Sequence, residues 1–141
     1  MKRHVVLDTN VISSALRSRR GASFALLRQL GTGSYQAHLT VPLFLEYQEQ
    51  VHRLVDAGVM RKDAADDILD YICAVATQDP VHFLWRPFLR DADDDMVLEA
   101  AVAGQCTHII THNLRDFRCI GEFGVAPLTP NQFLNQLRGQ P

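Results

Sequence analysis

The sequence predicts an α/β domain with a mostly parallel sheet, and three observations support this. Short β-branched runs alternate with longer segments in which apolar residues recur at helical spacing, and the connections between them are short. Hydrophobic residues make up 47% and charged residues 21% of the chain, as in ordinary folded domains. A chain of 141 residues suits one hydrophobic core, so we expect a single domain over residues 1–141.

The first half of the chain contains two strand-to-helix units. The run Val5–Leu7 predicts a strand, and Thr9 or Asn10 can cap the helix that follows it. After a second helix, the residues His38–Val41 predict a second strand. Pro42 suits the first position of the next helix, whose apolar residues are spaced to form one face.

The second half continues the alternation. Asp63 is a favourable N-cap for a fourth helix, and the run Val81–Trp85 predicts a third strand. A helix that begins with aspartates precedes a fourth strand over His108–Thr111. Val125–Leu128 predicts a fifth strand, and Pro130–Leu137 predicts a closing helix. Strands that alternate with helices in this way favour a mostly parallel sheet.

Charge, cysteine content and hydropathy exclude several classes of protein. Lys and Arg number 14 and Asp and Glu number 16, so the formal net charge of −2 argues against unselective binding to DNA or membranes. The three cysteines lack paired spacing, so neither a disulfide framework nor a structural zinc site is predicted. No apolar stretch suits a signal peptide or a membrane span. We therefore expect a cytoplasmic protein.

Acidic residues collect where the predicted strands end. Ligands of open parallel sheets bind outside the carboxyl ends of the strands. Asp8 ends the first strand, Glu46 lies in the first turn of the helix after the second, and Asp95 opens the helix before the fourth. The loop after the fourth strand adds Asn113 and Asp116. We therefore expect one acidic pocket at this edge of the sheet.

This acidic pocket predicts a metal-dependent site. Like charges about 4 Å apart repel each other by about 1–4 kcal/mol per pair, so folding alone does not favour such a cluster. Each acid alone also has a structural interpretation, since aspartates commonly cap helices. Together, oxygen ligands without paired cysteines or histidines suit Mg²⁺ or Mn²⁺, which keep water ligands for a phosphate. The residues favour cleavage of a phosphodiester.

Four blocks of the sequence carry a family resemblance. They are Val-Leu-Asp8-Thr-Asn-Val, Glu46 after the second strand, Arg-Asp-Ala-Asp-Asp-Asp95 with the Leu-Glu-Ala-Ala beyond it, and Ile-Ile-Thr111-His-Asn113-Leu-Arg-Asp116-Phe. Together they resemble the PIN domain, in the branch that includes toxins of bacterial toxin–antitoxin modules. The resemblance implies a three-layer α/β/α sandwich with a five-stranded sheet, and an endoribonuclease that requires Mg²⁺ or Mn²⁺. It covers essentially the whole chain.

Position by position, the resemblance implies roles for these residues. Asp8, Glu46 and Asp95 match the three principal acids of the family, which are catalytic and bind metal, and Asp94 is the alternative register for Asp95. The residues with supporting roles are Asn10, Asp94, Thr111 and Asn113. A phosphatase of the haloacid dehalogenase type would need a second aspartate where this sequence has Asn10, and this argues against that class.

The sequence departs from the family pattern at Asn113, where many members have aspartate. Asparagine is neutral and offsets less metal charge, while Asp116 can supply a catalytic carboxylate from the next turn. The sequence is therefore compatible with a site for one metal ion and with a site for two. It is also compatible with an alternative function, that of a catalytically weak or inactive PIN-fold module that binds RNA or protein.

The family also implies partners. These are an RNA substrate, a small antitoxin protein and a second copy of the chain in a homodimer, with no membrane involved. Arginine matches phosphate well. The candidates for contact with the RNA backbone are Arg17, Arg19, Arg20, Arg86, Arg90 and Arg115.

Overall fold

The computed structural model describes residues 2–81 and 88–139, which form a five-stranded sheet with helices around it. The strands are β1 (Arg3–Leu7), β2 (Tyr35–Leu39), β3 (Thr77–Gln78), β4 (His108–Ile110) and β5 (Ala126–Leu128). The helices are α1 (Thr9–Arg17), α2 (Ala22–Gln29), α3 (Val41–Asp56), α4 (Lys62–Val75), α5 (Ala92–Ala103) and α6 (Pro130–Leu137). Two short 3-10 helices, Leu114–Phe117 and Ile120–Phe123, connect β4 to β5.

The strands are all parallel and lie in the order β3-β2-β1-β4-β5. This confirms the predicted α/β class, with a wholly rather than mostly parallel sheet. The central strand β1 shows that both faces of the sheet are covered, because its neighbouring residues Val5 and Val6 point to opposite faces and are both 0% exposed. The implied three-layer α/β/α sandwich is therefore confirmed.

Helices from distant parts of the chain cover this sheet. α5 packs on β1, β2 and β4. α6 contacts α2, and its Phe133 packs edge-on against Tyr35 of β2, with ring centroids 5.4 Å apart. Tyr35 also donates a hydrogen bond to the carbonyl oxygen of Leu26 in α2, at 2.6 Å. Within the described residues, no helix combines the length and the apolar character needed to cross a membrane.

Two predicted helix caps are wrong. Asp8 is the residue before α1, so Thr9 and Asn10 lie inside the helix rather than at its cap. α4 begins at Lys62, and Asp63 lies in its first turn. Both differences amount to one or two residues, because several polar residues in a row can each take the cap position. The negative charge of Asp63 still suits the positive end of the helix.

The second and third strands also differ from their predictions. β2 begins at Tyr35 and ends at Leu39, whereas His38–Val41 was expected. The strand that pairs with β2 on its outer side is Thr77–Gln78, and Val81 lies in no strand. Both residues of β3 are exposed, so this edge strand has no apolar pattern to detect. The rest of the predicted strand, residues 82–85, lies outside the described residues.

A chain of hydrogen bonds with the buried His38 at its centre connects β1, β2 and the residue after β3. Nδ1 of His38 in β2 lies 2.7 Å from Oδ2 of Asp79, directly after β3. Nε2 of His38 lies 2.8 Å from Nδ1 of His4 in β1. His38 is 5% exposed.

Burial and the nearby Asp79 raise the pKa of the Cys106 thiol to about 12, so this cysteine stays protonated at neutral pH.

Gly104, at the end of α5, closely approaches this chain of hydrogen bonds. A Cβ atom at Gly104 would lie 2.6 Å from Nδ1 of His38 and 2.8 Å from Oδ2 of Asp79. We expect Gly104→Ala to lower the free energy of unfolding by about 1–3 kcal/mol, because the buried ring of His38 has little room to move. Gly121→Ala is the control, since apart from its own chain neighbours no atom of the described residues lies within 4 Å of its Cβ position. Urea unfolding of both variants measures the difference, and equal stabilities would contradict the prediction.

Candidate functional site

The candidate site lies where the strand order changes direction. The chain passes from β1 to β2 on one side of the sheet and from β4 to β5 on the other, so β1 and β4 border the switch point at which open α/β sheets bind ligands. Asp8 follows β1, and its backbone N–H donates to the carbonyl oxygen of Ile110 at 2.8 Å. The end of β1 is thereby fixed beside the end of β4.

Thr111, directly after β4, holds the carboxylate of Asp8. Its hydroxyl donates to Oδ2 of Asp8 at 2.7 Å and accepts the backbone N–H of Asn113 at 3.0 Å. Asp8 is 7% exposed and Thr111 is 0% exposed. Burial raises the pKa of Asp8 in spite of the hydrogen bond from Thr111. The cleft therefore contains a well-positioned carboxylate whose negative charge is poorly solvated.

Asn10 is held by the loop that follows Thr111. Its side-chain oxygen accepts the backbone N–H of His112 at 3.3 Å. The ring Nε2 of His112 in turn lies 2.8 Å from the hydroxyl of Ser23 in α2. Since a backbone N–H can only donate, the Asn10 oxygen is occupied and its NH₂ group is the part that can donate to a ligand.

Asp8 and Asn10 border a cleft of about 470 Å³. We call it the acidic cleft, because five of the described residues that line it are acids, namely Asp8, Glu46, Asp91, Asp93 and Asp94. The basic residue among those lining residues is Arg17, at the end of α1. The predicted meeting of acids from three distant segments therefore occurs in the structure.

Glu46 is held at the cleft by its neighbour in α3. The buried hydroxyl of Tyr47 donates to the carbonyl oxygen of Leu7, at the end of β1. Partial burial and the negative charge of Asp93 raise the pKa of Glu46. The sequence assigns Tyr47 only to the apolar face of its helix, and no sequence pattern shows that its hydroxyl reaches β1.

The aspartates at the start of α5 have different surroundings. Asp91 caps the helix and accepts the backbone N–H of Asp93 at 2.9 Å. Asp94 lines the acidic cleft. Asp95 does not line it, is 1% exposed, and its Oδ1 accepts the backbone N–H of Leu89 at 2.8 Å. The structure thus places the alternative register, Asp94, beside Asp8, and gives Asp95 a contact that holds the segment before α5.

Asp94 is the most strongly perturbed of the acids in the cleft. Burial raises its pKa to about 7, with further contributions from the negative charges of Asp8 and Asp116. Asp116 itself is exposed and lies in a neighbouring cleft that shares Asn113 with the acidic one. The charge of Asp116 therefore acts on the acidic cleft although its side chain does not line it.

The raised pKa of Asp94 predicts how pH affects stability. Its ordinary value is 3.8 and its folded value is about 7, so between these pH values the folded protein binds more protons than the unfolded one. Without divalent cations, stability should therefore fall as pH rises from about 4 to about 7, and Asp94→Asn should weaken this fall. Urea unfolding in EDTA at pH 5 and pH 7.5 measures it, and an unchanged pH dependence in the variant would contradict the prediction.

The donors of the acidic cleft fit a hard divalent cation in type and charge. Carboxylate and amide oxygens are the ligands that Mg²⁺ and Mn²⁺ favour, and a cation would offset the burial and the neighbouring negative charges that together raise the pKa of Asp94. Over residues 2–81 and 88–139, no three His, Cys, Asp or Glu side chains are already arranged to hold a metal ion. Three of these side chains would therefore have to move before they could share one ion.

Comparison with known proteins gives two positive findings. The family model for the PIN domain matches residues 4–115. Among solved structures, the chain resembles one described as the crystal structure of VapBC2 from Rickettsia felis bound to a DNA fragment from their promoter. The TM-score is 0.62 at 15% identity, over 89% of this chain and 98% of the other, so this likeness shows the fold alone. No curated protein sequence matches significantly.

Proposed function

The chain belongs to the PIN domain family, whose members are generally nucleases, and from this membership we propose that it is a metal-dependent endoribonuclease. We propose further that it is the toxin of a toxin–antitoxin module. The observation that carries the proposal is the acidic cleft at the switch point, where Asp8 between β1 and α1 meets acids of α3 and α5. Hydrolysis of a phosphodiester bond is the chemistry that such a cleft suits best.

Three carboxylates would hold the cation. They are Asp8, Glu46 and Asp94, with Asp94 in the role that the family resemblance gave to Asp95. A bound Mg²⁺ or Mn²⁺ would offset the charge of the phosphate and make water more acidic. These carboxylates suffice for one ion, and a second ion would also need Asp116, which reaches the site only from the neighbouring cleft.

Other residues would position the substrate. The NH₂ group of Asn10 can donate to a phosphate oxygen, because its side-chain oxygen is already bonded to the backbone of His112. Arg17 brings positive charge to the same cleft. Thr111 keeps the carboxylate of Asp8 in one orientation through its hydroxyl. Asn10 and Arg17 thus face the substrate, whereas Thr111 acts through Asp8.

The proposed partners follow from the same family. They are RNA as the substrate, a small antitoxin protein, and a second copy of the chain in a homodimer in the cytoplasm. The solved VapBC2 assembly from Rickettsia felis, which is bound to promoter DNA, supports the proposal of a protein partner. Arg19, Arg20, Arg90 and Arg115 remain candidates for contact with the RNA backbone, while Arg86 lies outside the described residues.

A second candidate function is a PIN-fold module that binds RNA or protein without efficient catalysis. Two observations favour it. Asn113 stands where many family members have a carboxylate, and no three acids among the described residues are already arranged around an ion position. Such a module would retain the acidic cleft but would cleave RNA slowly or not at all.

Cleavage of a mixed RNA pool separates the two functions. We expect fragments to accumulate in Mn²⁺ or Mg²⁺ but not in EDTA, and the Asp8→Asn variant should produce none. The variant must show an unchanged far-UV circular dichroism spectrum, so that lost activity reflects the site. Binding of RNA without cleavage in any divalent cation would overturn the enzyme proposal and favour the binding module.

A further inference from the structure

A second cleft lies beside the acidic one, and the two share Asn113. Its volume is about 500 Å³, and it lies between the loop after β4 and Thr129, the N-cap of α6. We call it the arginine cleft, because Arg115 lines it, together with His112 and Asp116. Asn113 is therefore the junction between a cleft with five acids and a cleft that contains a cation.

The arginine cleft has a fixed wall. Arg115 is exposed and lies on the 3-10 helix Leu114–Phe117, which is anchored by Phe117 at 0% exposure. The backbone N–H of Asp116 donates to the carbonyl oxygen of Asn113 at 3.1 Å, which closes the turn between the two clefts. Arg115 is thereby carried by a rigid support while its side chain remains accessible to a ligand.

We propose that the arginine cleft binds the phosphate adjacent to the scissile one, so that the substrate strand passes over Asn113. This inference rests on the proposed nuclease function. A guanidinium group pairs well with phosphate, so a cleft that contains Arg115 favours a phosphate of a polyanion that crosses it. Asn113 suits the junction because its amide can donate to the strand, whereas a carboxylate there would repel it.

Asp116 limits where that phosphate can lie. It shares the arginine cleft with Arg115, and it repels anions. The phosphate is therefore expected on the Arg115 side of this cleft, and a substrate needs at least two phosphodiester groups, in other words three nucleotides, to occupy both clefts.

Binding of fluorescein-labelled hexauridylate tests the proposal. It is measured by anisotropy in Mn²⁺ with the Asp94→Asn variant, within a time too short for its slowed cleavage to shorten the oligonucleotide. Adding Arg115→Ala should weaken binding about tenfold, because it removes one charge-assisted contact with phosphate. Affinity should also depend less on salt: the magnitude of the slope of log affinity against log salt concentration should decrease by about 0.7, the value for one phosphate contact in a single strand. Arg115→Lys should restore most of the salt slope.

Arg118→Ala is the matched control. Arg118 is exposed, lies three residues further along the chain, and does not line the arginine cleft. Equal weakening by both alanine variants, no effect of Arg115→Ala, or no binding of hexauridylate would overturn the proposal. RNA cleavage by the protein that retains Asp94 is measured in a separate assay. Cleavage without dependence on Arg115 would leave the nuclease function standing, and Arg115-dependent binding without cleavage would leave the arginine cleft standing.

Discussion

Replacing Asp94 by asparagine is expected to lower the rate of RNA cleavage by about a hundred- to a thousandfold. Asp94 lies in the acidic cleft, where burial and the charges of Asp8 and Asp116 raise its pKa to about 7. Asparagine keeps the volume of the side chain and removes the charge that would hold a cation. The measurement is the single-turnover rate for a defined RNA in saturating Mn²⁺.

The neighbouring aspartates provide matched controls for this prediction. Asp93→Asn and Asp95→Asn make the same chemical change one residue away on either side, and we expect both variants to keep most of their cleavage rate. Asp95→Ala should instead lower the free energy of unfolding by about 1–3 kcal/mol, since it leaves the buried N–H of Leu89 without its acceptor. A larger loss of rate at Asp95 than at Asp94 would return the proposed catalytic role to Asp95.

Mn²⁺ is expected to raise the melting temperature of the protein. The acids of the cleft repel one another, and an ion that binds only the folded state adds RT ln(1 + [L]/Kd), or about 2.7 kcal/mol at one hundred times Kd. Scanning calorimetry in Mn²⁺, compared with NaCl at the same ionic strength, measures the shift.

The Asp8→Asn/Asp94→Asn double variant is the control for the cation effect. It should melt at the same temperature in both solutions, because two of the three proposed ligands have lost their charge. It should also be more stable than the unsubstituted protein in EDTA, since the repulsion between the buried carboxylate of Asp8 and the half-buried one of Asp94 is gone. A melting temperature of the unsubstituted protein that Mn²⁺ leaves unchanged would argue against a cation site in the acidic cleft.

The elements with a clear apolar period could be predicted from the sequence. α6 was predicted with the observed bounds, Pro130–Leu137, and the predicted fifth strand contains β5. β3 could not be predicted, because two exposed edge residues carry no hydrophobic signal and their strand conformation comes from pairing with β2. Whether such a segment forms a strand therefore depends on its tertiary pairing and not on its local sequence.

The candidate site could likewise be predicted only in part from the sequence. The sequence places Asp8 and Glu46 at one edge of the sheet, because strand ends and helix starts are visible in the apolar pattern. It cannot choose between Asp94 and Asp95, because α5 buries Val97, Leu98, Ala100 and Ala101 in the middle of the sandwich and so lacks a single apolar stripe. Which aspartate faces the cleft depends on how α5 is rotated against the sheet.

The long separation between Asp8 and Thr111 bears on when the cleft can exist during synthesis. The two residues are 103 positions apart, and their hydrogen bond forms only when β4 inserts beside β1. A chain leaves the ribosome from its N-terminus, so β1, β2 and their helices emerge well before α5 and β4. A nascent chain in which Thr111 has not yet been synthesised has no complete cleft. If the protein cuts RNA as proposed, it cannot do so until β4 has left the ribosome and paired with β1.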